Sequence, residues 1–559
     1  EYQMLQLAGA WCRERFVHAS PLRIGVQSIG SQRGTSSHHN NPFLVLKRPH
    51  TGERQGEAIG FSLVYSGNFL AQAEVDNWGV TRVSMGIDPD TFCWKLEPGE
   101  SFQTPEAVMV YTQNGLNAMS QAYHSLYGKR LARGYWRDRA RPVLINNWEV
   151  TEWNFTQEQI LQIASVAAEA GIELFVLDDG WSQNRCSDRA GLGDWYPCEK
   201  KLPEGIRGLS EKIRQTGLSF GLWFEPEMVS PDSELFRTHP DWHIHVKGRL
   251  PMLGRHQYVL DLTRRDVREN IWQQMDTILS KYEIDYIKWD ANMPISNHGS
   301  QYLPKNKQSH LYIEYHRGFA KVCDRIRAKY PDVTIQACAS GGGRANWGVL
   351  PWFDEFWVSD NTDALQRIHM QWGTSYFFPA IAMASHISAT PNHTVFRTTS
   401  LKYRIDVAMS GRLGMEIQPR NMTQEERDLC RKAIAEYKEI RPVVQFGDIY
   451  RLVSPYDGHN MASLMYVAPE KDQAVFYWWK TETFYDDHLP RVKMAGLDPD
   501  KMYKVTELNR IDNVPLKYEG MSFSGKFLME NGLEIPLKHI VDYHKQDDWS
   551  SRVLYLSAQ

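Results

Sequence analysis

At 559 residues the chain is too long for one ordinary core, and at roughly 150 residues per domain it should hold about three or four folding units, two of which a barrel would absorb. Its 63 basic and 67 acidic residues leave a net charge of −4, which gives no reason to expect nucleic acid or an anionic membrane as partner. No apolar run approaches the roughly 20 residues of a membrane span, and seven cysteines in this length do not make a disulfide framework.

Cys186 and Cys198 could close across a loop, but free thiols are expected. Without Cys-x-x-Cys or His-Glu-x-x-His pairs, no metal or cofactor is implied. The 19 Trp and 26 Tyr must in part be core, and they also suit stacking on sugars. The chain opens on Glu-Tyr-Gln-Met, without initiator Met or leader pattern, so its compartment is not legible.

In chain order, residues 1 to about 130 read as β. Runs such as Phe61–Tyr65 and Ala107–Tyr111 stand between Gly, Asn, Pro and Asp clusters. Gly30 to Asn41 reads as a long polar loop. Its His38 and His39 suit either a metal or a hydrogen-bonded loop, and no further ligands stand nearby. From about 140 strand and helix alternate. Val143–Trp148 reads as a strand; Thr156 and Gln159 form a capping box, and Gly171 stops that helix. Leu174–Asp179 is the next strand, a helix follows near Leu209–Thr216, and Ser219–Glu225 is the third strand. Val267, Ile271, Met275 and Ile278 mark one helix face leading into Ile284–Asp290. A helix over 311–329 leads into Val333–Cys338, and Phe356–Asp360 follows. Segments around Ile381–His386 and Gly411–Ile417 supply two more strands, and Thr423-x-x-Glu426 caps a closing helix. Eight units predict an α/β fold with a (β/α)8 TIM barrel. No Gly-x-Gly-x-x-Gly follows the first strand, which argues against a dinucleotide fold. From about 445 the chain is β again, as in Gln473–Trp478. The expected division is 1–135, 136–445 and 446–559.

Tyr286-Ile-Lys-Trp-Asp290 is the most informative stretch. Strand side chains alternate, so Tyr286, Lys288 and Asp290 share one face and Ile287 and Trp289 the other. That places a lysine and an aspartate at the C-terminal mouth of a barrel strand, where such barrels keep their chemistry. Alone, the pair could be a structural ion pair. Other strands end alike: Trp148-Glu149, Asp178-Asp179, Trp223-Phe-Glu225, Cys338 and Ser359-Asp360. Their convergence on one rim has no common structural explanation. Carboxylates plus Trp, with no Ser–His or Cys–His pair, point to carbohydrate chemistry. Gly341-Gly342-Gly343 lacks the Gly-Lys-Ser/Thr of a phosphate cradle, which leaves a tight turn or a close backbone approach to a ligand.

These motifs resemble glycoside hydrolase family 36, the bacterial α-galactosidases of the melibiase clan. The resemblance rests on Ile145-Asn-Asn-Trp-Glu149, Leu177-Asp-Asp-Gly-Trp181, Gly221-Leu-Trp-Phe-Glu-Pro-Glu-Met228, Tyr286-Ile-Lys-Trp-Asp290, Cys338-Ala-Ser-Gly-Gly-Gly-Arg344 and Trp357-Val-Ser-Asp-Asn-Thr-Asp-Ala364. Ser36–Phe43 and Phe61–Phe69 extend it into the N-terminal region. It implies an N-terminal β-supersandwich, the barrel and a C-terminal antiparallel β-sandwich. Family members usually carry a long stretch ahead of this starting point, so the first domain is expected to be incomplete.

On this resemblance Asp290 is the nucleophile and Asp360 the general acid/base of a retaining, exo-acting α-galactosidase. Asp178 and Asp179 take the galactose 4- and 6-hydroxyls, and Trp148 and Trp223 wall the pocket. Arg255, Lys288 and Asn292 make polar contacts, and Cys338, Ser340 and Gly341 form the wall near the 2-position. Lys288 is expected to favour the ionised Asp290 by charge and hydrogen bonding, while Asp360 keeps its proton. The implied substrate is an α-galactoside oligosaccharide, with no nucleic acid, membrane or cofactor partner. The implied setting is a soluble bacterial protein of cytoplasm or periplasm. A homo-oligomer is implied too, with the family's frequent tetramer as its form, in which β loops, with Gly30–Asn41 the candidate, reach a neighbour's site. Rival readings are an α-N-acetylgalactosaminidase of the same fold and a galactosyltransferase of the raffinose-synthase type. A silent sugar-binding protein is disfavoured by the presence of both aspartates. Asn361 stands where a second Asp is frequent, Ala291 and Met293 flank Asn292 where Met and Arg are frequent, and Gln418-Pro-Arg-Asn421 replaces an Asp-containing segment.

Overall fold

The computed structural model describes residues 1–417, 421–482, 490–511, 515–535 and 549–559; the departure at Gln418–Arg420 lies outside them. The predicted alternation closes into a barrel. Its parallel strands are Leu144–Asn146, Leu174–Leu177, Ser219–Phe224, Tyr286–Trp289, Thr334–Ala337, Glu355–Trp357, Met383–Ser388 and Arg412–Glu416. Each pairs with the next, and the last pairs back on the first.

Local sequence explains the helices around it. Thr156 and Gln159 complete a capping box ahead of Gln157–Glu169, and Thr423 and Glu426 do the same for Gln424–Phe446. Gly171, at φ 88°, ends the first of these. Val267, Ile271, Met275 and Ile278 are buried along Arg265–Lys281. The first strand ends sooner than expected. Asn146 Oδ1 accepts the Trp148 amide at 2.7 Å and Asn147 Oδ1 that of Asp178 at 2.8 Å, so side chains replace ladder partners and Trp148–Thr151 turns into a short helix.

The alternation at 286–290 is as expected. Tyr286 packs inside the barrel with Leu144, Leu174 and Val176, and its hydroxyl donates to Glu355 Oε1 at 2.6 Å. Trp289 points outward and meets Phe319 of helix Leu311–Lys329 edge-on at 5.7 Å.

The N-terminal region is a five-stranded antiparallel sheet packed on a three-stranded one. Period-two alternation makes it two-sided. Met4, Leu44, Leu46 and Leu63 face Ile29, Phe69 and Ala71 of the smaller sheet, while Leu5, Leu7, Phe43 and Val45 join the core shared with the barrel. The β reading of this region missed helix Gly115–Leu126, whose Leu116, Met119 and Tyr123 are buried at helical spacing. The C-terminal sheet repeats the logic with six antiparallel strands. Leu464, Tyr466, Val475 and Tyr477 face the barrel, whereas Met465, Val467, Phe476 and Leu554 close a second core.

Gly30–Asn41 is shorter as a loop than expected, since strands run to Ser31 and resume at Asn40. It is seated on this chain's own barrel: His38 Nε2 lies 2.6 Å from Ser340 O, Ser36 Oγ donates to Gly343 O at 3.1 Å, and His316 Nε2 lies 2.6 Å from Gly34 O. All seven cysteines are free. Among the described residues no helix is long and apolar enough to cross a membrane.

Glu14 and Arg15, both without exposed surface, join the N-terminal sheet to the C-terminal rim of the barrel. Arg15 Nε donates to Thr374 Oγ1 at 2.7 Å, Nη1 to Gly342 O at 2.9 Å, and Nη2 to Val358 O. Glu14 accepts the Gly342 amide at 3.2 Å and the Ser359 hydroxyl. This packing accounts for the three glycines: a Cβ at Gly342 would stand 2.3 Å from Val358 O and 2.4 Å from the Arg15 guanidinium. Arg15→Met keeps the stem but strands these acceptors and the buried Glu14 carboxyl. The expected loss is about 3–5 kcal/mol, as for breaking other buried charge networks. It should appear as a lower urea midpoint at unchanged slope, and a loss below about 1 kcal/mol would show that this contact does not hold the regions together.

Candidate active site

The C-terminal ends of the strands open on a cavity of about 470 Å³. Strands one and two supply Trp148, Glu149, Asp178 and Asp179, and strand three Trp223. Strands four and five supply Lys288, Asp290, Asn292, Cys338 and Ser340, and strands six and eight Trp357, Asp360 and Glu416. Arg255 and His393 come from loops, and Trp11 and Cys12 from the N-terminal sheet.

Lys288 lies at the bottom. Its ammonium donates to Asp178 Oδ2 at 2.7 Å, with both side chains at least 92 % covered (8 % and 3 % exposed). Burial pulls this ammonium down, but Asp178 foremost, then Cys338, Glu416 and Asp290, hold it protonated and raise it overall. Burial pushes Asp178 up while Lys288 pulls it back, and Asn146 Nδ2 adds a bond at 2.6 Å. Asp179 has its own counter-ion: Arg185 grips it through Nε and Nη2, each at 2.9 Å, and Trp153 Nε1 donates at 2.9 Å. Arg255 stands 4.0 Å from Asp179 and 5.9 Å over the Trp148 ring.

The two remaining strand-end aspartates differ. Asp290 accepts from the Ala291 amide at 2.9 Å, Asn292 Nδ2 at 2.6 Å, Trp223 Nε1 at 3.2 Å and the Ser340 amide at 3.3 Å. Burial pushes its carboxyl up, but Lys288, Arg255 and Asn292 together outweigh this and the net shift is down. Lys288 thus acts on Asp290 through charge, while its direct bond goes to Asp178. Asp360 is held by two indoles: Trp357 Nε1 donates to Oδ1 at 3.0 Å and Trp11 Nε1 to Oδ2 at 2.8 Å.

Three further carboxyls are pushed the other way. Burial raises Glu416 to about 7, although Lys288 opposes it, and His386 Nδ1 lies 2.9 Å from its Oε1. Burial, then Glu416, raises Glu149 well above the ordinary range; its Oε1 accepts from Thr362 at 2.7 Å, and His393 stands 3.5 Å from Oε2. Burial, then Asp290, raises Glu225 to about 7. At Asp290 the donors and cations outweigh burial, whereas at Glu149, Glu225 and Glu416 burial wins. Among the described residues no group of three or more His, Cys, Asp or Glu is arranged to hold a metal ion.

Three family models match in succession: the Glycosyl hydrolase family 36 N-terminal domain over residues 1–97, Melibiase over 101–447 and the Glycosyl hydrolase family 36 C-terminal domain over 461–556. The chain belongs to glycoside hydrolase family 36. It is 47 % identical to Alpha-galactosidase AgaA of Geobacillus stearothermophilus, over 93 % of this chain and 72 % of that protein. To Alpha-galactosidase Mel36A of Lactobacillus acidophilus it is 42 % identical, over 96 % of this chain and 72 % of the relative. The crystal structure of the Geobacillus AgaA superposes with a TM-score of 0.95 at 45 % identity, covering 100 % of this chain and 75 % of the other.

In this family-36 chain the structure brings Trp148, Asp178, Asp179, Trp223, Arg255, Lys288, Asp290, Asn292, Cys338, Ser340 and Asp360 to one cavity. Gly341 is not on its wall: at φ 77° it lies against the Asp360 amide, where a Cβ would come within 2.7 Å. Sequence reasoning gave no role to seven lining residues: Trp11, Cys12, Glu149, Trp357, His393, Thr394 and Glu416. Glu416 and Trp357 stood at strand ends already noted. His393 and Trp11 carried no local signal, since a loop and the tip of a distant hairpin bring them in.

Glu416 gives a pH test. Its folded value of about 7 exceeds the ordinary 4.5, so between them the folded protein holds the proton that the unfolded chain has lost. Stability therefore falls as pH rises through that window, and the cost persists above it. Glu416→Gln removes the ionisation. Its stability relative to wild type should climb by about 3 kcal/mol between about pH 4.5 and 8, read from urea midpoints. A pH-independent difference would place the proton elsewhere.

Proposed function

We propose that this protein is an exo-acting, retaining α-galactosidase that releases terminal α-linked galactose from oligosaccharides. Family membership supports the reaction class, and variants of the Geobacillus relative have been crystallised with raffinose and with stachyose. The observation that carries the mechanism is the contrast between Asp290 and Asp360 on one cavity. Asp290 is gripped by four donors and depressed, which suits a nucleophile ionised before attack. Asp360 is bounded by indoles at the open side, which suits a group that passes a proton to and fro.

In the proposed reaction Asp290 attacks the anomeric carbon as Asp360 protonates the departing oxygen. Asp360 then takes a proton from water, which attacks the galactosyl ester from the other face and restores the α configuration. Asp178, Asp179 and Lys288 receive the 4- and 6-hydroxyl side of the ring. Because the cavity ends on these residues, only a chain terminus fits.

Replacing Asp290 with glycine should abolish turnover, since no ester can form. Azide should restore cleavage of nitrophenyl α-galactoside and give the β-galactosyl azide; recovery of the α-azide would sink the assignment of Asp290 as nucleophile.

The 2-position wall decides between galactose and N-acetylgalactosamine. Cys338 is buried against Trp357 and Ala384. On their N-terminal side the glycines are covered, since a Cβ at Gly341 would meet Glu14, at Gly342 Arg15 and at Gly343 His38. Against the buried Cys338 an acetamide would have its amide unpaired, at a cost of about 1–3 kcal/mol before any clash. The galactoside should be preferred by at least about 10²-fold in kcat/KM, roughly 2.7 kcal/mol. Nitrophenyl α-galactoside and nitrophenyl α-N-acetylgalactosaminide assayed side by side check this, and comparable rates would transfer the function to the acetamido sugar.

A further inference from the structure

Beyond the end of strand three stands a buried carboxylate that the cavity does not use. Glu227 follows Phe224, the last residue of that strand, by three positions; it is 1 % exposed and is not on the cavity wall. Its backbone is fixed by the Leu260 amide, which donates to Glu227 O at 2.8 Å. Its side chain gathers three elements. Oε1 accepts the Trp289 indole N–H at 2.9 Å and Arg344 Nη2 at 2.8 Å, and Oε2 accepts the Tyr315 hydroxyl of helix Leu311–Lys329 at 2.6 Å.

Two of these partners lead to Asp290. Trp289 is the residue before it, packed outward against Phe319 at 5.7 Å and Phe353 at 5.8 Å. Side chains alternate along a strand, so a fixed indole at 289 sets the direction in which Asp290 leaves it. Arg344, 3 % exposed and 5.1 Å over the Phe319 ring, closes the loop after strand five. That loop presents Ser340. Its amide reaches Asp290 Oδ1 at 3.3 Å and Asn292 Oδ1 at 3.1 Å, and its hydroxyl donates to Asn292 Oδ1 at 2.9 Å. Asn292 Nδ2 in turn donates to Asp290 Oδ2 at 2.6 Å. Ser340 sits at φ 46°, a region that a side chain disfavours, so its amide stays on Asp290 only while the loop around it is held. Arg15 holds that loop at Gly342 from the N-terminal sheet, and Arg344 holds its far end.

We propose that Glu227 is a positioning residue for Asp290, fixing strand four and the loop after strand five against each other so that the donors on the nucleophile stay in register. This rests on the reading of Asp290 as nucleophile. A buried ion pair seldom adds net stability over apolar packing, because desolvation offsets its attraction. What it adds here is direction: three donors converging on one carboxylate leave the strand and the loop little freedom to shift relative to each other.

Glu227→Gln keeps the length of the side chain, removes its charge and turns an NH₂ toward a donor. Its kcat/KM for nitrophenyl α-galactoside should fall about 10²-fold, the cost of a small misplacement of a reacting group. Inhibition by free galactose should stay within about three-fold of wild type, since Asp178, Asp179 and Lys288 keep their own partners. The acidic limb of kcat/KM should move to higher pH, because a carboxyl that loses donors is raised. Azide separates positioning from general damage. In Asp290→Gly, azide takes the place of the nucleophile, and adding Glu227→Gln should cost less than about three-fold in the rescued rate. Equal losses in the two backgrounds, galactose binding that weakens in step with kcat/KM, or no loss at all would overturn the proposal. If Glu227→Gln does not fold, Trp289→Phe tests the same link, since it keeps a ring and loses the N–H. It should cost about ten-fold beside Asp290 and nothing measurable in the azide-rescued enzyme, and equal costs in both would again overturn the proposal. Failure of azide to rescue Asp290→Gly itself would overturn the nucleophile reading, and the role of Glu227 with it.

Discussion

A buried ammonium is tolerable only beside compensating charge, and the mouth of this barrel is arranged around one, Lys288. Its bond to Asp178 satisfies it locally, and its field extends to Asp290, Cys338 and Glu416. Asp178 is bonded by Lys288 and Asp179 by Arg185, and Asp290, under Lys288 and Arg255, is lowered overall. Burial outweighs the cations that act on the others, Arg367 at Glu149, Arg255 at Glu225 and Lys288 at Glu416, so all three are driven upward. One lysine on the inner face of the fourth strand thereby helps to lower Asp290 and opposes the effect of burial on Asp178 and Glu416.

The barrel alone does not fix that set. The loops leaving strands five and six carry Ser340 and Asp360, and both are held from the N-terminal sheet. Arg15 ties their carbonyls together, Glu14 binds Gly342 and Ser359, and His38 meets Ser340. Loops this rich in glycine have little stiffness of their own. Their rigidity is imposed by buried charge across the seam between regions.

The sequence made the barrel legible because its signals are local. Capping boxes at Thr156 and Thr423, the stripe from Val267 to Ile278 and the alternation at 286–290 each name an element by its own period. The strand-end rule then gathered eleven of the twelve expected site residues on one cavity, leaving Gly341 behind the wall. What escaped was non-local. Helix Gly115–Leu126 was hidden by the β text around it. Asp290 was expected to be bonded by Lys288, but the lysine reaches across to strand two, a choice set by barrel closure. Trp11 stands 349 residues from Asp360, and no spacing within the N-terminal hairpin foretells that contact.

The two aspartates divide along the same seam. The donors to Asp290 come from barrel residues, Trp223, Ala291, Asn292, Ser340 and the Cys338 thiol. Asp360 has one donor from the barrel and one from the N-terminal sheet. In the proposed mechanism the nucleophile meets the anomeric carbon of galactose and the acid meets the group that leaves. The barrel then sets which sugar is released, because the nucleophile and the hydroxyl-binding pair are built from its strands alone. The N-terminal hairpin touches the acid directly through Trp11 and reaches the nucleophile only through the loop of Gly342 and Ser340, so it bears first on what that sugar is released from.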